Sequence, residues 1–210
     1  MRIGKYIVLE GIDGSGKSTV GKKIAGRIYQ CVLTCEPTET EIGKLLQQKL
    51  VGYYDFDNKI AEAERDFALF TADRIEHHQR IKEELKVGNC VLSSRSYYSS
   101  IAYQGVDGAD IPRMIQTIDY LKSINLIRAP DVAIVIDLPP EEAIKRIEER
   151  TRQKFENVET LNKVCKIYDE LESYFPKENI RHVDGTLNPT ALENTIMDVI
   201  KSNVEIVEQS

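Results

Sequence analysis

The residue types best suited to chemistry fall together near the start of the chain: Gly11, four residues, then Gly16-Lys17-Ser18. This is the G-x-x-x-x-G-K-S/T spacing of a phosphate loop, and it lies between the apolar run Tyr6–Leu9 and a stretch with a helical pattern, where such a loop has to be. Glycines at 11, 14 and 16 allow backbone N–H groups to converge on phosphate oxygens, and a helix starting near Gly16 would add its positive end. In this arrangement Lys17 reaches β- and γ-phosphates and the Ser18 hydroxyl ligates Mg²⁺. Gly11, Asp13, Gly14, Ser15, Gly16, Lys17, Ser18 and Thr19 are therefore candidate contacts to a nucleoside triphosphate.

A phosphotransferase also needs an acceptor pocket, cations for the transferring phosphoryl and a cover that excludes water. In FALFTADRIEHH, Phe70 and Arg74 lie one helical turn apart, so that an aromatic face beside a guanidinium could stack a flat base and bond its edge. The same pattern also fits a core phenylalanine and a surface arginine. Arg95, Ser99 and Tyr103 share a helical face in SSRSYYSSIAYQG. Arg146, Arg150, Arg152 and Lys154 lie within nine residues and suit a lid over the donor, although a solvated basic face balanced by Glu141, Glu142, Glu148 and Glu149 has the same composition. His77 and His78 read as exposed helix residues without a role.

The elements that would position these groups alternate regularly. Strand candidates occur at Tyr6–Leu9, Cys31–Cys35, Cys90–Ser93, Val132–Ile136 and Ile180–Val183, with helical segments near 17–29, 40–50, 59–87, 96–104, 112–125, 140–150, 156–174 and 189–203. That order predicts an α/β fold: a five-stranded, doubly wound parallel sheet flanked by helices, of the P-loop NTPase type. Ligands of such sheets bind beyond the carboxyl ends of the strands. The phosphate loop, Glu36-Pro37-Thr38, Ser94-Arg95-Ser96, Asp137-Leu138-Pro139 and Asp184-Gly185-Thr186 are all expected to face one crevice.

The 210 residues, 41% of them hydrophobic and 30% charged, suit a single domain spanning 1–210, with the lid at about 147–157. A net charge of −6 gives no global field for nucleic acid or an anionic membrane surface. The N-terminus leads into a core strand and no run has transmembrane length, which points to the cytoplasm. Cys31, Cys35, Cys90 and Cys165 form no C-x-x-C pair and read as buried, reduced thiols, with Cys31, Cys35 and Cys90 in apolar, strand-like stretches. A signalling GTPase would require a D-x-x-G switch downstream of the loop and an N-K-x-D guanine reader, and neither occurs. A compact phosphotransferase acting on a small molecule remains.

The series E-G-x-D-G-x-G-K-S-T, E-P-T, L-F-x-A-D-R and R-x-x-x-S-x-x-A-Y-Q-G, followed by an arginine-bearing lid that ends in F-E, resembles the thymidylate kinase family, whose members phosphorylate dTMP to dTDP with ATP. The resemblance spans nearly the whole chain. It implies that Phe70 stacks on thymine, Arg74 bonds its edge, Arg95 holds the acceptor phosphate and Tyr103 packs against the deoxyribose. Asp13 would lie near the sugar 3′-hydroxyl and the metal. The acceptor pocket would also include Glu36, Pro37, Ser99, Ser100 and Gln104. Arg146 would flank adenine opposite the Asp184–Pro189 turn. Some members carry the catalytic arginine in the phosphate loop; here that position is Gly14, so Arg150 or Arg152 of the lid would neutralise the transferring phosphoryl. A homodimer packed through helices is also implied.

The chain departs from the family pattern at Ser94 and Ser96, on either side of Arg95, at Cys35 before Glu-Pro, and at Ser100. Members usually carry Asp at the position of Ser94. A phosphate monoester, with its second pKa near about 6, is already mostly ionised at neutral pH and needs no strong general base; a free nucleoside hydroxyl would. Position 94 thus favours a nucleotide acceptor. Another pyrimidine nucleotide, a deoxynucleoside served by Glu36, or a nucleotide-sensing protein without efficient transfer are the alternative readings.

Overall fold

The computed structural model describes residues 4–51, 58–147 and 157–209. The five expected strands form, as β1 (Tyr6–Glu10), β2 (Cys31–Cys35), β3 (Cys90–Ser94), β4 (Val132–Asp137) and β5 (Ile180–Asp184). All pairings are parallel, in the order β2-β3-β1-β4-β5. Four of the strands are rich in apolar residues because helices cover both faces of the sheet. In β1, Tyr6 and Val8 enter one core and Ile7 and Leu9 the other, all at 0% exposure.

The helices among the described residues are α1 (Lys17–Arg27), α2 (Glu41–Val51), α3 (Lys59–Lys86), α4 (Tyr97–Val106), α5 (Ile111–Ser123), α6 (Pro140–Ile147), α7 (Val158–Asp169), α8 (Leu171–Tyr174) and α9 (Pro189–Asn203). Helices α1 and α9 cover one face with Val20, Ile24, Leu192, Ile196, Met197 and Ile200. Side chains of α3, α4, α5 and α7 fill the other. The single helix expected over 156–174 is instead two, since the chain breaks at Glu170, whose N–H bonds the Ile167 carbonyl. Caps match side-chain chemistry: Asn58, Ser96, Asp110, Asn157 and Asn188 each accept a backbone N–H at a helix start.

Strand order positions the site. From β1 the chain crosses to β2 on one side, and from β3 it crosses to β4 on the other, so a crevice opens at the carboxyl ends of the adjacent strands β1 and β3. Leu9 pairs with Ser94, and the Arg95 N–H donates to the Leu9 carbonyl at 2.9 Å. The phosphate loop and Arg95 are thereby neighbours before any ligand enters.

Candidate active site

The loop between β1 and α1 has Gly11, Gly14 and Gly16 at φ values of 131°, 83° and 91°. At Gly14 a Cβ would also lie 2.6 Å from the Ala143 carbonyl oxygen of α6, so close packing as well as the left-handed backbone requires glycine. Lys17 is the first residue of α1, and its ammonium donates to the carbonyls of Gly11 and Ile12 at 2.8 and 2.7 Å, inside the loop it closes. Ser18 and Thr19 stand exposed in the first turn of α1.

A cleft of about 850 Å³ opens in front of this loop, within the size range of ligand sites. Its far wall holds Phe70 and Arg74 of α3, Ser94, Arg95, Ser96, and Ser99, Ser100, Tyr103 and Gln104 of α4, with Glu36 and Pro37 at the end of β2. Arg146, Thr186, Leu187, Asn188 and Pro189 line the other end, where an Arg146 Nη donates to the Gly185 carbonyl at 3.2 Å. The described residues expected to serve donor and acceptor thus border one cavity, with Gly11 just behind the loop's inner rim. Arg150 and Arg152 lie outside the described residues, as does nearly all of the 147–157 lid.

Arg95 is the hub of the wall. Its backbone has φ 76°, an uncommon conformation for a residue with a side chain and one found at sites where geometry is over-determined. The guanidinium donates to Asp13 Oδ1 at 2.6 Å and to Ser99 Oγ at 2.9 Å, and it lies 5.0 Å from the centre of the Tyr103 ring. The Asp13 N–H in turn donates to the Tyr103 hydroxyl at 3.2 Å. Burial pushes the Tyr103 phenol well above its ordinary value, so it remains protonated.

A second network fixes Arg74, which is 2% exposed. Its Nε donates to Glu36 Oε2 at 2.9 Å and its Nη2 to Ser100 Oγ at 3.1 Å. The other Glu36 oxygen is 3.1 Å from His77 Nδ1, and His77 Nε2 is 2.8 Å from the Thr34 hydroxyl. Burial alone would raise the Glu36 pKa; Arg74 and the His77 hydrogen bond outweigh it and hold the carboxyl down at about 2. Because Glu36 is ionised, His77 Nδ1 must carry the proton between them. Asp73, beside Arg74, accepts from the Thr38 N–H at 2.9 Å and from the Thr38 and Thr40 hydroxyls at 2.5 and 2.9 Å. The Asp-Arg pair of α3 therefore anchors the Glu36–Thr40 segment, including the Glu36-Pro37 cis bond, on two sides.

Four expectations need correction. His77 and His78 are buried rather than exposed, at 3% and 0%; the His78 ring nitrogens lie 3.0 and 3.3 Å from the Arg74 and Arg128 carbonyls, and burial holds its pKa down at about 4, so the neutral ring donates to one of them at a time. Cys35 is exposed, because it ends the edge strand β2 at the border of the cleft. The end of β4 does not face the crevice: Asp137, Leu138 and Pro139 line a separate pocket of about 470 Å³ on the other side of the phosphate loop, together with Gly11 and Asp184. The end of β5 is divided, since Thr186 borders both cavities.

Sequence reasoning also missed Glu10, which is 0% exposed and accepts from the hydroxyls of Ser96, Ser99 and Tyr168 at 2.8, 2.6 and 2.9 Å. An acidic residue closing β1 directly after the apolar run Tyr6–Leu9, the first of the E-G-x-D-G series, was the available signal. The serines at 96 and 100, where the chain departs from the pattern, are both engaged, one on Glu10 and one on Arg74.

The sequence model of the thymidylate kinase family matches residues 9–196. The chain belongs to the thymidylate kinase family. Among relatives, a probable thymidylate kinase of Methanococcus aeolicus is 39% identical over 201 residues, covering 94% of each chain. Another, of Thermococcus gammatolerans, is 36% identical over 218 aligned positions, covering 99% of this chain and 97% of that one. The solved structure of thymidylate kinase from Candida albicans, 24% identical, superposes with a TM-score of 0.75 over 99% of both chains and shares the fold. Family membership makes the chain a nucleoside monophosphate kinase by descent, and the match covers the phosphate loop, Phe70, Arg74, Arg95 and Tyr103 alike.

Proposed function

We propose that the protein transfers the γ-phosphoryl of ATP to dTMP, giving dTDP and ADP. The observation that carries the reading is the cleft between β1 and β3, which has the phosphate loop on one side and Phe70, Arg74 and Arg95 on the other. Relatives named for this activity, 36–39% identical along nearly the full chain, support it.

In the proposed mechanism, Lys17 exchanges its loop carbonyls for β- and γ-phosphate oxygens while the N–H groups of Gly14 to Thr19 receive the rest. Adenine lies between Arg146 and the Thr186–Pro189 turn. Phe70 stacks thymine, Arg74 and Gln104 meet its edges, and Tyr103 and Asp13 contact the sugar, leaving little room for a ribose 2′-hydroxyl. Arg95, steadied by Ser99, holds the acceptor phosphate in line, supplying effective concentration rather than proton abstraction. Arg150 or Arg152 stabilises charge on the moving phosphoryl.

Mg²⁺ fits beside the exposed Ser18 hydroxyl, an oxygen donor of the kind that ion prefers, and Ser18 would hold it. When bound it would supply positive charge against the triphosphate during transfer. Asp13 fits that role less well, since Arg95 already occupies one of its oxygens. The ionised Glu36 has Arg74 on one oxygen and His77 on the other, which disfavours it as the base a deoxynucleoside acceptor would need and supports a nucleotide acceptor.

We further propose a cytoplasmic homodimer packed through helices, with Leu45 of α2 and Ile60 of α3 among the exposed apolar side chains available for it; among the described residues no helix is long and apolar enough to cross a membrane. The deciding experiment is Mg²⁺-dependent ADP release across dTMP, dUMP, dCMP, dGMP and thymidine, with Lys17→Ala as control. Selective turnover of dTMP is expected. Turnover of thymidine alone would move the acceptor, and silence across the panel would refute an enzyme in favour of a sensor.

A further inference from the structure

Arg95 carries the acceptor phosphate in the reading above; it stands on a left-handed backbone just after β3, and its side chain is held by Asp13 of the phosphate loop and by Ser99 and Tyr103 of α4. Ser99 is itself fixed from β1. Ser99 Oγ donates to Glu10 Oε2 at 2.6 Å, and that leaves its oxygen lone pairs to accept Arg95 Nη1 at 2.9 Å. The other Glu10 oxygen accepts from the Ser96 hydroxyl, which also caps α4. Tyr168, from α7, closes the set with a third donated hydrogen bond at 2.9 Å.

Glu10 is fully buried and is the last residue of β1, directly before the phosphate loop. A carboxylate in that position is costly unless its charge is used. Burial raises its pKa, while the Arg95 charge and the three hydroxyl bonds pull it back. A carboxylate accepts on both oxygens, as the three donated hydroxyl bonds require, and its charge also acts on the guanidinium beyond Ser99.

We infer that Glu10 is a positioning residue for the acceptor arginine, aiming Arg95 through Ser99 and fixing its height against the adjacent phosphate loop. The inference deepens the kinase reading and rests on it for the identity of the acceptor, but the geometry it claims exists in the free protein. It assigns Glu10 no contact with substrate.

Two measurements on Glu10→Gln test it. Steady-state kinetics are expected to give a KM for dTMP raised about 10- to 100-fold, the size of a charged hydrogen bond lost from the acceptor site, with the KM for ATP within about twofold. General loosening of the fold would raise both, so the split separates positioning from structure. Ser99→Ala, which keeps Glu10 and the helix, is expected to reproduce the dTMP effect, and the double variant to add little to either single one. Equal KM changes for both substrates, or additive effects, would overturn the inference.

The second measurement needs no nucleotide: the side-chain Nε–H resonance of Arg95, assigned by its loss in Arg95→Lys, is expected to shift and broaden in Glu10→Gln and in Ser99→Ala. An unchanged resonance in folded variants would overturn the inference by itself. A wild-type protein that used another nucleoside monophosphate would change the acceptor named above, and the same KM split would then be read on that acceptor.

Discussion

The Glu36–Arg74 pair yields the most constrained prediction. In Glu36→Gln the side chain keeps its shape but the Arg74 guanidinium, 2% exposed, loses its counter-charge. Holding the carboxyl at about 2 instead of its ordinary 4.5 corresponds to about 3 kcal/mol in favour of the ionised native state, at about 1.4 kcal/mol for each pH unit. Breaking buried pairs by removing one partner generally costs about 3–5 kcal/mol, which agrees. The sign follows from the lowered value: this stability is complete above 4.5 and is lost as the pH falls towards 2. Urea unfolding of wild type and Glu36→Gln is therefore expected to differ by about 3 kcal/mol at neutral pH and by about 2 kcal/mol near pH 3.5, the curves converging on acidification. A difference below about 1 kcal/mol at neutral pH, or one independent of pH, would refute the argument that Arg74 and His77 overcome the desolvation of Glu36.

Arg95→Ala is expected to abolish detectable dTMP affinity by calorimetry while ATP affinity stays within about threefold, because the side chain contacts Asp13, Ser99 and Tyr103 rather than the loop N–H groups. Phe70→Ala removes the stacking face and is expected to weaken dTMP by about 1–3 kcal/mol, read as a shift in Kd with little change in Tm. Asp73→Ala leaves the Thr38 N–H and two buried hydroxyls without their acceptor, a loss of about 3 kcal/mol in denaturant unfolding together with a weaker acceptor site.

How much of this was legible in the sequence depended on separation along the chain. The phosphate loop spans Gly11 to Ser18, and its function is written in local spacing because one strand end and one helix start make the whole device. The strands were legible to within a residue or two, since burial on both faces leaves an unbroken apolar signature in the central strands β1, β3 and β4. Phe70 and Arg74 could be paired by helical spacing, but not told apart from core and surface. That choice was made by Glu36, 38 residues away, which draws Arg74 inward.

The histidines show the limit most plainly. Flanked by Glu76, Gln79 and Arg80, His77 and His78 have the local look of a solvent face, and only the packing of β2 and the Arg128 carbonyl against α3 makes them interior groups. Glu10 meets Ser99 and Tyr168 across 89 and 158 residues, a convergence that no periodicity encodes. Likewise β4, which ends in the same acidic pattern as β5, turned its end to the opposite side of the loop. Sequence alone determined the alternation of elements and the phosphate loop, because these depend on neighbours in the chain. The tertiary structure decided which charges are buried, which partners hold them and which strand ends share the cleft, because those are set by contacts between segments far apart in sequence, whose energies depend on burial.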